Sequence, residues 1–121
     1  MGTRLFRKRE MAFTPHPRFA NVQWARFISG KDTNTVSVCL VEIQPNTSIP
    51  IHIHDPQVDS MLVLSGKGEA YVNGTWEPVE AGDYIFVSQA SEHALKNTGN
   101  EWLRIFVHHS PPLQWESGGT G

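Results

Sequence analysis

The chain has a single cysteine, Cys39, so no disulfide can form within it. Cys39 lies in the apolar run Val36-Ser37-Val38-Cys39-Leu40-Val41, where a thiol serves as a small buried hydrophobe. A lone thiol also fits a reducing compartment. No segment approaches the roughly 18 consecutive apolar residues of a membrane-spanning helix. No apolar stretch of roughly 7–15 residues follows the basic N-terminus, so no secretory signal is expected, and the reading is a cytoplasmic protein. Charge of one sign is lacking as well: Lys and Arg total 10, Asp and Glu 12, and the net is −2. Such a balance gives no global pull toward nucleic acid or an anionic membrane. The charge is uneven, with Arg4, Arg7, Lys8 and Arg9 against Glu10 in the first eleven residues. A solvated or neighbour-packing arm is the expected role for that stretch. Helical periodicity is also missing. No window of about 11 residues carries a 3.6-residue repeat of apolar positions, which leaves room for one helical turn near the N-terminus and for no DNA-reading helix.

What is present is enough for one folded domain. The chain has 121 residues, 39% of them hydrophobic, with Trp24, Trp76, Trp102 and Trp115 supplying bulk. That excludes a disordered chain and fits a single core. The expected organisation is an N-terminal arm or strand over 1–20, a β domain over 21–112 and a mobile tail over 113–121, whose Ser-Gly-Gly-Thr-Gly end has linker composition. Strands are expected at 22–28, 35–43, 49–54, 59–64, 69–72, 76–79, 84–87, 93–96 and 102–109. Asn73-Gly74 between two of them is a type I′ hairpin signature, because both central residues take positive φ. Many short strands with regular turn signals predict an all-β sandwich or barrel.

The chemistry concentrates in Pro50–Gly66. His52 and His54 stand two residues apart, and residues i and i+2 of a strand share a face. Asp59, reached after a bend at Asp55-Pro56, can aim at the same spot from the next strand. Converging imidazoles and a carboxylate are what a divalent metal requires. Asp55 directly follows His54 and should point to the opposite face, which ranks it below Asp59.

These residues resemble the cupin superfamily, whose fold is the double-stranded β-helix (jelly-roll) barrel. The first cupin motif runs Gly, five residues, His-x-His, three or four residues, Glu, six residues, Gly. Here His52-x-His54, four residues, Asp59, six residues and Gly66 match it, with Asn46 in the leading glycine position. Asn tolerates positive φ, so the turn can survive. The second motif begins at Gly82 and continues through Ser88-Gln89-Ala90, His93 and Asn97, with Ser88 in place of a proline and Ala90 in place of a glycine. The resemblance implies a single-domain cupin with one divalent transition metal (Fe, Mn, Ni, Co, Cu or Zn) held by His52, His54, His93 and Asp59. Asp59 is one methylene shorter than the family's glutamate, roughly 1.5 Å of reach. It is read as a direct ligand, a ligand through water, or a base near the open positions. Asn97 is read as a turn residue capping a strand end.

Strand parity then predicts the cavity wall. Pro50 should face inward with His52, Met61 and Val63 with Asp59, and Leu95 with His93. Leu103, Ile105 and Val107 should complete the wall, with Phe86 or its neighbour Ile85 adding to it, while Lys96 points out. His109 is in phase with the last strand's apolar face and can edge the cavity; the other reading of His108-His109 is a surface pair. His16, between prolines, reads as surface loop. An apolar pocket with one metal favours a small neutral or aromatic substrate. The expected activity is metal-dependent and dioxygenase-like, with Asp59 as the catalytic group. The alternatives are a Lewis-acid isomerase or lyase, a non-catalytic barrel binding a small molecule such as a sugar, and a structural barrel with a vestigial site. Trp24, Phe27, Trp102, Phe106 and Trp115 are many large groups for a small barrel to hide, and they predict a homodimer face.

Overall fold

The structure, a computed structural model, describes residues 2–114. Trp115 and almost all of the expected tail lie outside these residues. Among them, short alternating segments form ten strands: β1 (Thr14–Pro15), β2 (Val22–Ile28), β3 (Ser37–Ile43), β4 (Ser48–His52), β5 (Val58–Ser65), β6 (Lys67–Val72), β7 (Thr75–Glu80), β8 (Tyr84–Val87), β9 (His93–Asn97) and β10 (Leu103–Ser110). One 3-10 turn at Lys8–Glu10 is the helical turn that the N-terminal composition leaves room for. β1 lies inside the segment 1–20 read as an arm or strand. It pairs Thr14 with Trp24 and Pro15 with Gln23 at a sheet edge, where a missing N–H is tolerated.

The strands form two antiparallel sheets. Six lie in the order β1-β2-β3-β10-β5-β8 and four in the order β4-β9-β6-β7. The result is the expected all-β jelly roll, though the sheets remain separate rather than closing into one barrel. Their facing sides bury Ile43, Val63, Leu103 and Ile105, each less than 2% exposed. Burial of each such side chain contributes about 1.5–3 kcal/mol. Trp24 belongs to this core at 5% exposure, not to the outer face expected of it, because it sits opposite inward-facing Val41 on β3. Phe27 and Phe106 do lie outside, under a ring chain that begins at Phe6: Phe6–Phe27 centroids are 5.3 Å apart and Phe27–Phe106 centroids 6.2 Å.

Turn chemistry sets the connections. Asn46 (φ 59°) takes the left-handed conformation expected of it, as do Asn73 (φ 50°) and Gly74 (φ 84°) at the hairpin. Ala90, in the second motif, also adopts positive φ (60°). Gly68 has a different role. A Cβ there would stand 2.0 Å from the Lys96 carbonyl oxygen, so the absence of a side chain is what lets β6 close against β9.

Candidate metal centre

Two cross-strand pairs face each other between the sheets. On the four-stranded sheet His52 sits opposite His93; on the six-stranded sheet Asp59 sits opposite His109. His54 comes from the loop after β4, since the strand ends at His52. That loop is fixed by two ties to the β8–β9 connection. Ala90 N–H donates to the His54 carbonyl at 2.8 Å, and Gln89 Nε2 donates to Asp55 Oδ1 at 2.7 Å. Asp55 is thereby turned away from the histidines, as expected.

Four imidazoles and one carboxylate meet as a result. Ring centroids of His52 lie 4.8 Å from His54 and 4.2 Å from His93, and those of His54 and His109 are 4.8 Å apart. Asp59 Oδ2 stands 3.1 Å from His109 Nε2, 3.3 Å from His93 Nε2 and 3.7 Å from His54 Nε2. His54, Asp59, His93 and His109 are each 5% exposed or less. The donor atoms of His52, His54 and His93 lie within 4.8 Å of one another, and so do those of His54, Asp59 and His109. The candidate ligands His52, His54, Asp59 and His93 are thus placed together.

The proton positions suit a cation. His52 Nδ1 lies 2.7 Å from the Pro50 carbonyl and His93 Nδ1 3.1 Å from the Ser91 carbonyl. A carbonyl only accepts, so both Nδ1 atoms carry the hydrogen and both Nε2 lone pairs face the centre. His93 Nε2 and Asp59 Oδ2 then meet as two acceptors at 3.3 Å, a contact that a positive ion between them would relieve. Asp59 Oδ1 and His54 Nδ1 are also buried without a hydrogen-bond partner. Burial lowers the proton affinity of His54 to a pKa of about 3, helped by the neighbouring His109 and opposed by Asp59. Burial likewise lowers that of His52, against the Pro50 carbonyl. Burial works to raise the Asp59 pKa, but the His109 imidazole, 3.1 Å from Oδ2, outweighs it and holds the carboxyl below its usual range. Neutral imidazoles at His52 and His54 beside an ionised Asp59 are protonation states that a divalent metal binds.

A small cavity opens beside this cluster, with about 60 Å³ of room for a water-sized molecule. Met61, Leu95, Ile105 and Val107 line it, together with Cys39. Val63 and Leu103 are inward but lie in the packed core, outside the cavity wall. Phe86 was expected in the wall and is instead 59% exposed. It pairs with Ser60, which alternates away from Asp59 and Met61, so Ile85 and Val87 take the inner face. Pro50 is also exposed, because a register irregularity between Ile49 and His52 reverses the parity and turns Ile49 inward. Burial pushes the Cys39 thiol up to about 12, with Asp59 adding to the rise, so Cys39 is an inert part of the wall.

Two more residues reach the site, His109 from a position read either as cavity edge or as surface and His16 from one read as surface loop. His109 is 5% exposed because β10 is an interior strand, covered by β3 and β5 on either side. Its phase with Leu103, Ile105 and Val107 was the signal for it. His16 lines the cavity, stacked on Phe19 at 4.8 Å and close to Trp24 at 4.7 Å. It gave no sequence signal, since the fold of the N-terminal segment across the opening is what places it. Asn97 ends β9 as a cap, donating to the carbonyls of Ile43 (2.8 Å) and Glu101 (2.7 Å) and accepting from Gly99 N–H (2.9 Å). Lys96 points outward over the Trp76 ring, as parity requires.

Comparison with known proteins agrees with this architecture. An oxalate-binding protein from Thermotoga maritima is 30% identical over 70 residues, covering 55% of this chain and 58% of that protein. The match therefore spans little more than half of that relative. Among solved structures, a predicted oxalate decarboxylase from Thermotoga maritima has a TM-score of 0.80 at 22% identity, covering 89% of this chain and 99% of that one. An ectoine synthase from P. lautus also has a TM-score of 0.80, at 19% identity, covering 96% and 83%. Identities at this level establish a shared fold, while the activities of the matched proteins differ. The sequence profile of the cupin domain runs from Cys39 on β3 to His109 near the end of β10, more than half of the residues, and the chain belongs to the cupin family.

Proposed function

We propose that this chain is a metal-dependent enzyme acting on a small oxygen-bearing molecule, with oxidation by molecular oxygen as the favoured reaction. The observation that carries this reading is the set of inward Nε2 lone pairs around an ionised carboxylate, next to a mostly apolar cavity. His52, His54 and His93 would hold the metal, with Asp59 as the anionic donor. A divalent metal bound there supplies Lewis acidity and, for Fe, Mn, Co or Cu, access to oxygen chemistry.

The protein's own part is positioning and exclusion of water. The Pro50 and Ser91 carbonyls orient two imidazoles. Met61, Ile105 and Val107 keep the approach dry. A general base works best with a pKa near the operating pH, so the lowered pKa of Asp59 suits a metal donor better than a proton acceptor. About 60 Å³ is far below the roughly 300–1,000 Å³ of a drug-sized site, which favours a small substrate over an aromatic one.

Non-catalytic, metal-dependent binding of a small molecule is the second reading. The oxalate-binding relative and the small cavity favour it. Elemental analysis of the purified protein, followed by oxygen-electrode assays with Fe, Mn or Cu and a panel of small hydroxy and dicarboxylic acids, separates the two. Metal with oxygen uptake supports the enzyme. Tight oxalate binding with no turnover across metals supports the binding protein. Absence of any stoichiometric metal overturns both.

The chain is also proposed to form a homodimer in the cytoplasm. The six-stranded sheet exposes Leu62, Leu64, Tyr84 and Phe86 on its outer face, along neighbouring β5 and β8. Light scattering coupled to size exclusion would give twice the chain mass, and a monomer mass would refute the proposal.

A further inference from the structure

We infer that His109 is a fourth imidazole donor at the metal centre. The inference rests on the metal-binding reading above and extends it. Donors about 2.1 Å from a metal stand about 3.0 Å from their neighbours in an octahedron and about 3.4 Å in a tetrahedron. His109 Nε2 is 3.1 Å from Asp59 Oδ2, within that range, and His93 Nε2 is 3.3 Å from the same oxygen. His54 Nε2, at 3.7 Å, is the more distant neighbour. Judged by distance, His109 is as well placed around this carboxylate as His93 and closer to it than His54.

Burial and topology support the same role. His109 is 5% exposed and sits directly across the β5–β10 ladder from Asp59, so the two side chains leave the sheet side by side toward the cavity. His54 belongs to both donor triads, His52-His54-His93 and His54-Asp59-His109. The two triads are therefore halves of one centre, built across the gap between the sheets. A fourth imidazole adds neutral nitrogen and no charge, and it leaves one fewer position for substrate.

A positioning role is the competing explanation, with an Nε2 hydrogen of His109 donated to Asp59 and no contact with the ion. Pulsed electron paramagnetic resonance on protein loaded with copper(II) alone counts coordinated imidazoles and separates the two. The expected count is four in the wild type and three in His109→Gln, together with at least a 10-fold weaker copper(II) affinity for the variant. Gln retains an N–H to offer Asp59, so it would rescue a positioning residue but not a ligand. A wild-type count of three, or a His109→Gln protein with wild-type spectrum and affinity, would overturn the inference. The wild-type count requires no variant, so it decides the matter even if His109→Gln does not fold. Wild type and His54→Ala that both fail to bind copper would instead sink the metal-centre reading itself. Copper uptake by the wild type, lost in His54→Ala, leaves that reading intact whatever His109 does.

Discussion

Replacing Asn97 by Ala removes three side-chain hydrogen bonds at once. The lost partners are the carbonyls of Ile43 and Glu101 and the N–H of Gly99. Asn97 is 2% exposed and the Ile43 bond is fully buried, so water cannot easily replace it. At about 1 kcal/mol per bond, the loss comes to about 3 kcal/mol. For a chain of this length that corresponds to a fall in Tm of roughly 9–18 °C. Urea unfolding followed by tryptophan fluorescence, with a chelator present so that metal binding adds nothing, measures it directly. Asn97→Asp sharpens the test. Aspartate keeps an acceptor for Gly99 but sets a negative oxygen against two carbonyls, so it should destabilise at least as much as Ala. A loss below about 1 kcal/mol for Asn97→Ala, or an Asp variant milder than the Ala variant, would refute the claim that this side chain joins the end of β9 to β3.

Three further outcomes follow from the structure. Burial, with Arg18 adding to it, lowers the His16 pKa to about 4 from an ordinary 6.5. As pH falls from 6.5 toward 4 the unfolded chain takes up a proton that the folded chain refuses, so His16 contributes a loss of stability across that window and none above it. Partial solvent screening leaves that loss on the order of 2 kcal/mol, and the stability gap between wild type and His16→Gln should shrink by that much between pH 7 and pH 4 in urea titrations; a constant gap would count against it. Gly68→Ala puts a Cβ 2.0 Å from the Lys96 carbonyl oxygen and should cost on the order of 3 kcal/mol or more, so a soluble variant of near-native Tm would contradict the close β6–β9 approach. The buried Cys39 thiol, with its pKa near 12, should resist a thiol reagent at pH 8 and react fully in urea; rapid labelling of the native protein would show that the wall opens.

Much of the fold is legible locally, because strand alternation and turn residues act over a few positions. β2 and β8 fall where alternation puts them, and Asn46 and Asn73-Gly74 turn as their chemistry dictates. Spacing also brings His52, His54, Asp59 and His93 to one place. Parity fails at Pro50 because the ladder itself is irregular there, with a shift between Ile49 and His52. At Phe86 the ladder is regular, and the pairing with Ser60, which no local window of sequence fixes, turns the ring outward and its neighbour Ile85 inward. His16 was hidden for another reason. Its burial depends on what the rest of the chain lays over it, and no window of sequence holds that information.

The place of β10 in the six-stranded sheet bears on how the molecule assembles. β10 lies between β3 and β5, setting Val107 beside Cys39 and His109 beside Asp59. Neither neighbour can complete its hydrogen bonds on that side until residues 103–110 arrive. Pairings this distant in sequence carry a large loop-closure cost before they repay it. On the ribosome, the growing chain therefore holds two open strand edges and a cluster that still lacks His109, and the core and the centre close together on the arrival of one late strand.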